Sequence, residues 1–294
     1  MMPEPRFASR FEILHRLGGG ASGEVHLARD HELGREVALK RIPLRQHADS
    51  MLDEERNGAI LQQMLGKISP QVPQVFAFDD EGEFFWIAME HVPGIDLEVA
   101  LGYGPFPESR AIGIAIQLCD FLLKLHDFTA EVGGRKVLGV VHGDLKPLNI
   151  RLEDGDAVKV LDFGIARQLS LSRNFTRSFF GTLPYTPPEQ LQTGKASKAS
   201  DLWAVGVILY QMVSGRLPVQ EGSLEEVKHQ ILEGNLLQLL PDACSNGLRW
   251  IINTSLQKLP EWRHPSASVL KEHLVKLRDG RLTATREERL SHHR

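Results

Sequence analysis

Apolar and polar residues alternate through the first part of the chain. Residues 11–17 (FEILHRL) run into the cluster Gly18-Gly19-Gly20, and residues 24–28 and 36–42 repeat the alternation, as half-buried strands require. His31-Glu32-Leu33-Gly34-Arg35 reads as the turn between the last two. From about residue 50 the period lengthens, and Met51, Ile60, Leu61, Met64 and Leu65 share one helical face. Two more strands are predicted at 75–79 and 84–89. Past Val92-Pro93-Gly94 the pattern turns helical, at 109–126, 200–214, 224–232, 247–256 and 266–277, with short strands at 150–152 and 157–161. A β-rich segment hinged to an α-rich one predicts an α+β chain of two lobes with a cleft between them. The small N-terminal lobe, an antiparallel sheet with one helix, is expected over 11–92. The larger helical lobe is expected over 93–278, and the polar stretch 279–294 is expected to fray.

Composition narrows the class without naming it. The 294 residues are 42% hydrophobic and 24% charged, the balance of an ordinary globular protein. A formal charge of −4 speaks against a broad nucleic-acid or anionic-membrane surface, though not against a local basic pocket. Cys119 and Cys244 are too few for a disulfide framework, which suggests a reducing compartment. No apolar run is long enough to span a bilayer, and no signal-peptide core follows the N-terminus. A cytoplasmic location with no membrane contact is the expectation, and oligomeric state is left open.

Chemistry concentrates in a few stretches. Gly18-Gly19-Gly20-Ala21-Ser22-Gly23 fits G-x-G-x-x-G, but the residues after it read as a strand and not as the helix a dinucleotide turn needs. A glycine-rich hairpin of this kind can fold over phosphates and offer backbone N–H groups. Val37-Ala38-Leu39-Lys40 ends a buried-strand pattern in a cation. The decisive stretch is His142-Gly143-Asp144-Leu145-Lys146-Pro147-Leu148-Asn149, followed after a turn and a strand by Asp162-Phe163-Gly164. It supplies a carboxylate base, an ammonium for phosphate charge, and oxygen ligands for a hard cation such as magnesium. Chance assembly of about seven specified identities is on the order of one in several million per chain.

At these residues the sequence resembles the eukaryotic-like, Hanks-type protein Ser/Thr kinase family, found also in bacteria. Gly181-Thr182-Leu183-Pro184-Tyr185-Thr186-Pro187-Pro188-Glu189 is similar to the end of that family's activation segment. Asp201-Leu202-Trp203-Ala204-Val205-Gly206 is similar to the start of its central buried helix, with Arg263 as the expected partner of Glu189. The resemblance implies a bilobal protein-kinase-like fold and transfer of the γ-phosphoryl of ATP, with Mg2+ or Mn2+, to Ser/Thr hydroxyls of protein substrates. It assigns Leu17, Gly18, Gly19, Gly20, Ala21, Ser22, Gly23, Val25 and Ala38 to covering the nucleotide. Glu90 and Val92 would meet the adenine edge, Met89 would guard the rear pocket, and Asp96 would reach the ribose. Lys40 would hold the α/β-phosphates, and Asn149 and Asp162 the metal. Asp144 would orient the acceptor hydroxyl while Lys146 neutralises the transferred phosphoryl.

Three departures from the family pattern bear on function, and an insertion accompanies them. Gly143 stands where many members have an arginine that pairs with an activation-loop phosphate, so phosphorylation at Thr176 or Ser178 is not expected to be the main switch. The helix meant to present a glutamate to Lys40 has Asn57 at the family's position; Glu54, one turn earlier on the same face, could substitute, and whether Glu54, Glu55 or neither pairs with Lys40 is left open, since both also fit solvated first-turn carboxylates. Arg151 occupies the position of an apolar adenine floor, where it would stack on the base or turn to the rim. The insertion 127–139 reads as a solvent hairpin. Asn57, Gly143 and Arg151 keep a second class open, a pseudokinase acting as a nucleotide-binding or scaffolding module. A small-molecule phosphotransferase is disfavoured by the 181–189 segment, which in protein kinases docks a peptide.

Overall fold

Alternation along the N-terminal strands builds a sheet with two covered faces. The computed structural model describes residues 10–20, 23–46, 49–132, 134–161, 183–237, 240–241 and 244–282. Strands β1 (Phe11–Gly20), β2 (Gly23–Asp30), β3 (Arg35–Pro43), β4 (Val75–Glu81) and β5 (Phe84–Glu90) form an antiparallel sheet in the order β1-β2-β3-β5-β4. One face packs Phe11, Ala28, Val37, Leu39, Trp86 and Ala88 together. The other carries Ile42, Val75, Phe85 and Ile87, which bury Leu52 and Ala59 of helix α1 (Asp49–Gly66).

The second lobe is organised by helix α5 (Lys198–Ser214), which is buried on nearly every side from Ser200 to Tyr210. A helix apolar all round has to lie inside a bundle. It packs against α3 (Glu108–His126) and α7 (Asn246–Ser255), and α8 (Ala267–Arg278) lies on α3 and α7. Short helices α2 (Leu97–Leu101), α4 (Pro188–Thr193) and α6 (Leu224–Glu233) complete the helices described. Ser197 and Ser200 form a reciprocal cap at the start of α5, which sets where that helix begins. This is the bilobal α+β architecture expected: an antiparallel sheet with one helix, then a helical lobe.

Two small sheets were only partly foreseen. Strands β6 (Ile95–Asp96), β9 (Ile150–Leu152) and β10 (Val158–Val160) pair in the order β10-β9-β6 beneath the hinge. The insertion folds as the hairpin β7 (Thr129–Val132) and β8 (Arg135–Leu138), but it is not simply solvated. Phe128, Ala130 and Val132 are buried in the large core cluster, and β7 touches α1. The alternation that leaves Thr129 and Glu131 exposed turns Ala130 and Val132 inward. That same cluster takes in Leu61 and Leu65 of α1, so one continuous apolar core joins the lobes behind the cleft.

Candidate active site

Cross-strand register gathers the first group of site residues. Val25 pairs with Lys40, Ala38 with Met89, and Lys40 with Ile87, so these side chains share the sheet face on which α1 lies. Gly18 pairs with Val25 and Gly20 with Gly23, and the β1–β2 ladder carries register shifts as it approaches the glycines. At Gly23, φ is +131° and a Cβ would stand 2.3 Å from the carbonyl oxygen of Arg41, so only glycine fits there. Leu17 is exposed beside it. Ala21 and Ser22 lie outside the described residues, as do Asp162, Thr176, Ser178, Gly181 and Thr182.

Lys40 Nζ donates to Glu55 Oε2 at 2.9 Å, with both side chains about four-fifths buried. Of the alternatives the sequence leaves open, Glu54, Glu55 or neither, the structure has Glu55. The helix face that counts begins at Leu52 and continues through Ala59, both buried against the sheet, and Glu55 lies three residues after one and four before the other. Counting back from Ile60 and Met64 instead selected a face rotated away from Lys40. Glu54 sits about 100° around the helix from Glu55.

The second group sits in the loop between the hairpin and β9. Lys146 Nζ donates to both carboxylate oxygens of Asp144, at 3.1 and 3.3 Å. Asn149 ends the turn Pro147–Asn149 and donates its amide to the Asp144 carbonyl at 3.0 Å. Its Oδ1 is left without a partner among the described residues, a hard oxygen donor of the kind magnesium or manganese prefers.

Asp201, at the start of α5 and 1% exposed, anchors this loop. It accepts backbone N–H groups from His142 at 2.9 Å and Gly143 at 2.8 Å, and its carboxylate meets His126 Nε2 at 2.8 Å. Gly143 has φ of +72°, a left-handed conformation that costs a residue with a Cβ roughly 1 kcal/mol. Gln190 Nε2 donates to the Gly143 carbonyl at 3.1 Å. Tyr185 donates to Gln211 Oε1 at 2.6 Å, and burial pushes its phenol pKa upward, so it remains neutral. Glu189 and Arg263 form the expected pair through two bonds of 2.8 and 2.7 Å, with the guanidinium fully buried.

At the hinge, Glu90 accepts from Lys159 Nζ at 2.6 Å and from the Gln74 backbone at 3.1 Å. Its side chain is thereby engaged, and its own N–H donates to the Gln74 carbonyl at 2.8 Å. Val92 is buried just beyond it. Arg151 turns to the rim: Nη1 donates to Asp96 Oδ1 at 3.0 Å and Nη2 to the Gly94 carbonyl at 2.7 Å. Sequence reasoning missed Lys159, Gln190 and the anchoring role of Asp201. Register with Arg151 would have flagged Lys159; nothing local marks Gln190, and the motif 201–206 marks Asp201 without its partners, which come from far along the chain.

Comparison with known proteins agrees with this geometry. The family model described as the protein kinase domain matches residues 11–293. The chain belongs to the protein kinase family. This kinase domain is similar to the serine/threonine-protein kinase PknB of Mycobacterium tuberculosis, 31% identical over 295 residues, covering 95% of this chain and 45% of the relative. It is also 32% identical over 220 residues to the serine/threonine-protein kinase PrkC of Bacillus subtilis, covering 74% of this chain and 32% of PrkC. A third relative, the serine/threonine-protein kinase pkn2 of Myxococcus xanthus, is 34% identical over 218 residues, 71% of this chain and 25% of that protein. It is a Hanks-type Ser/Thr kinase domain with bacterial relatives, and it spans less than half the length of each of these three. Among the described residues no helix is long and apolar enough to cross a membrane.

Proposed function

We propose that this kinase domain transfers the γ-phosphoryl of ATP to Ser/Thr hydroxyls of protein substrates in the cytoplasm, with Mg2+ or Mn2+. The observation that carries this is the Lys40–Glu55 ion pair. It supplies a phosphate-holding ammonium despite Asn57, and so removes one motive for a pseudokinase reading. The lobe boundaries near residues 92 and 278 belong to the same proposal.

In this reading Lys40, oriented by Glu55, holds the α/β-phosphates beneath the glycine hairpin. Val25 and Ala38 cover the base, and Met89 closes the rear of the pocket. Asp144 accepts a hydrogen bond from the substrate hydroxyl and aims it at the phosphorus. Lys146, already on the Asp144 carboxylate, neutralises charge on the moving phosphoryl group. Asn149 Oδ1 and Asp162 would hold the metal, which when bound supplies charge stabilisation at the phosphate oxygens. The chain's own contribution is positioning and electrostatic stabilisation.

Transfer of label from γ-labelled ATP, to the chain itself and to a general protein acceptor, tests the reading. The wild type should incorporate label, and Asp144→Asn should lose at least about a hundred-fold, the scale of general-base and positioning effects. Equal labelling of the two proteins would refute the catalytic role. Nucleotide-dependent thermal stabilisation without labelling would favour the pseudokinase module instead.

A further inference from the structure

The side of the small sheet that faces the hinge is charged from edge to edge. In β9, Ile150 and Leu152 are buried in the core of the helical lobe, so strand alternation turns Arg151 the opposite way. Its register partners are Asp96 on β6 and Lys159 on β10, which places the three in one cross-strand row. Lys159 is paired with Glu90 at the hinge. Arg151 grips Asp96 and the Gly94 carbonyl, while its Nε is buried with no acceptor. The pair stays open to the cleft, the side chains being 27% and 28% exposed.

We propose that Arg151 is a specificity-determining residue: from the rim of the cleft it holds the carboxylate that would otherwise read the ribose hydroxyls. The inference rests on the nucleotide-binding reading above. An Asp96 oxygen that already accepts a charged N–H has less to gain from a neutral hydroxyl. The ligand class is therefore nucleoside triphosphates, with 2′- and 3′-deoxy sugars accepted almost as well as ribose.

Isothermal titration of the full chain with ATP, 2′-deoxy-ATP and 3′-deoxy-ATP, in magnesium, decides the matter. The wild type should bind all three within about two-fold, as expected if no net hydrogen bond reads the sugar. Arg151→Leu and Arg151→Met release Asp96, and each should bind ATP roughly ten-fold more tightly than at least one deoxy form. Adding Asp96→Asn to Arg151→Leu should abolish that preference. A wild-type preference for ATP of roughly ten-fold overturns the inference, as does a released variant whose three affinities stay equal. If both Arg151 variants fail to fold, the wild-type ratio alone decides. Failure of the wild type to bind any nucleotide overturns the nucleotide reading and this inference together, whereas binding with the wrong ratio overturns this inference only.

Discussion

Gln190 donates its side-chain amide to the carbonyl of Gly143, 3.1 Å away. Gln190 follows Glu189, which Arg263 holds, and Gly143 precedes Asp144. The peptide groups on either side of Gly143 are thus fixed by two elements: Asp201 of α5 takes the N–H groups and Gln190 of α4 supports the carbonyl. Gln190→Ala should lower kcat by roughly three- to ten-fold, the range of one net hydrogen bond, with little change in KM for ATP. Gln190→Glu keeps the size and removes the donor, so it should show the same loss. Steady-state kinetics check this, and wild-type kcat in both variants would remove Gln190 from the positioning of Asp144.

Glu55 and Glu54 are neighbours in sequence with separate roles. Glu55→Gln weakens the hold on Lys40 and should cut kcat/KM by at least about ten-fold, the scale of a charge-assisted hydrogen bond. Glu54→Gln should stay within about two-fold, as a substitution away from the pair. Activity measured for both variants separates the two positions. A larger loss at Glu54 would contradict the geometry.

Arg263 is a stability prediction. Its guanidinium is fully buried, with two bonds to Glu189 and others to the Gln257, Lys258 and Ala199 carbonyls. Arg263→Met leaves the Glu189 carboxylate and those carbonyls without their donor, and should destabilise the fold by about 3–5 kcal/mol. Urea denaturation of the variant and the wild type measures it; a loss below about 1 kcal/mol would mean the site relaxes around the gap.

Lys258 adds a pH signature. Burial pushes its pKa down to about 8 from 10.5, against the pull of Glu233 and with some repulsion from Arg263. The unfolded chain therefore binds a proton more tightly at this group than the folded one. Below about pH 8 the cost of charging it in the fold is fully present, and stability rises with pH from there toward 10.5. Lys258→Met should flatten that rise. The difference in urea midpoint between variant and wild type, followed from pH 7 to pH 10, should change with pH; a constant difference would refute the assignment.

Local periodicity made most of the large elements readable. The alternation of 36–42 became β3, and the apolar run of 202–210 became the buried centre of α5. Motif spacing singles out Lys40, Asp144, Lys146 and Asn149 as candidates. The sequence leaves the choice between Glu54 and Glu55 open because α1 has two apolar directions: Leu52 and Ala59 meet the sheet, while Leu61 and Leu65 join the core of the other lobe. Periodicity reports that a side chain is covered, not what covers it. The hairpin shows the same limit, since Ala130 and Val132 are short apolar residues in a polar stretch until α1 packs on them.

What the chain determines by itself is its class of chemistry: side-chain types at close spacing, in an order that chance does not produce, together with strand and helix periods set by local backbone geometry. What only the tertiary structure decides is which charges meet. Lys40 with Glu55, Lys159 with Glu90, Arg151 with Asp96 and Gln190 with Gly143 are each brought together by register or packing between separate elements. Ion pairs and hydrogen bonds fall off within a few ångströms, so a rotation of one residue along a helix or strand exchanges one partner for another.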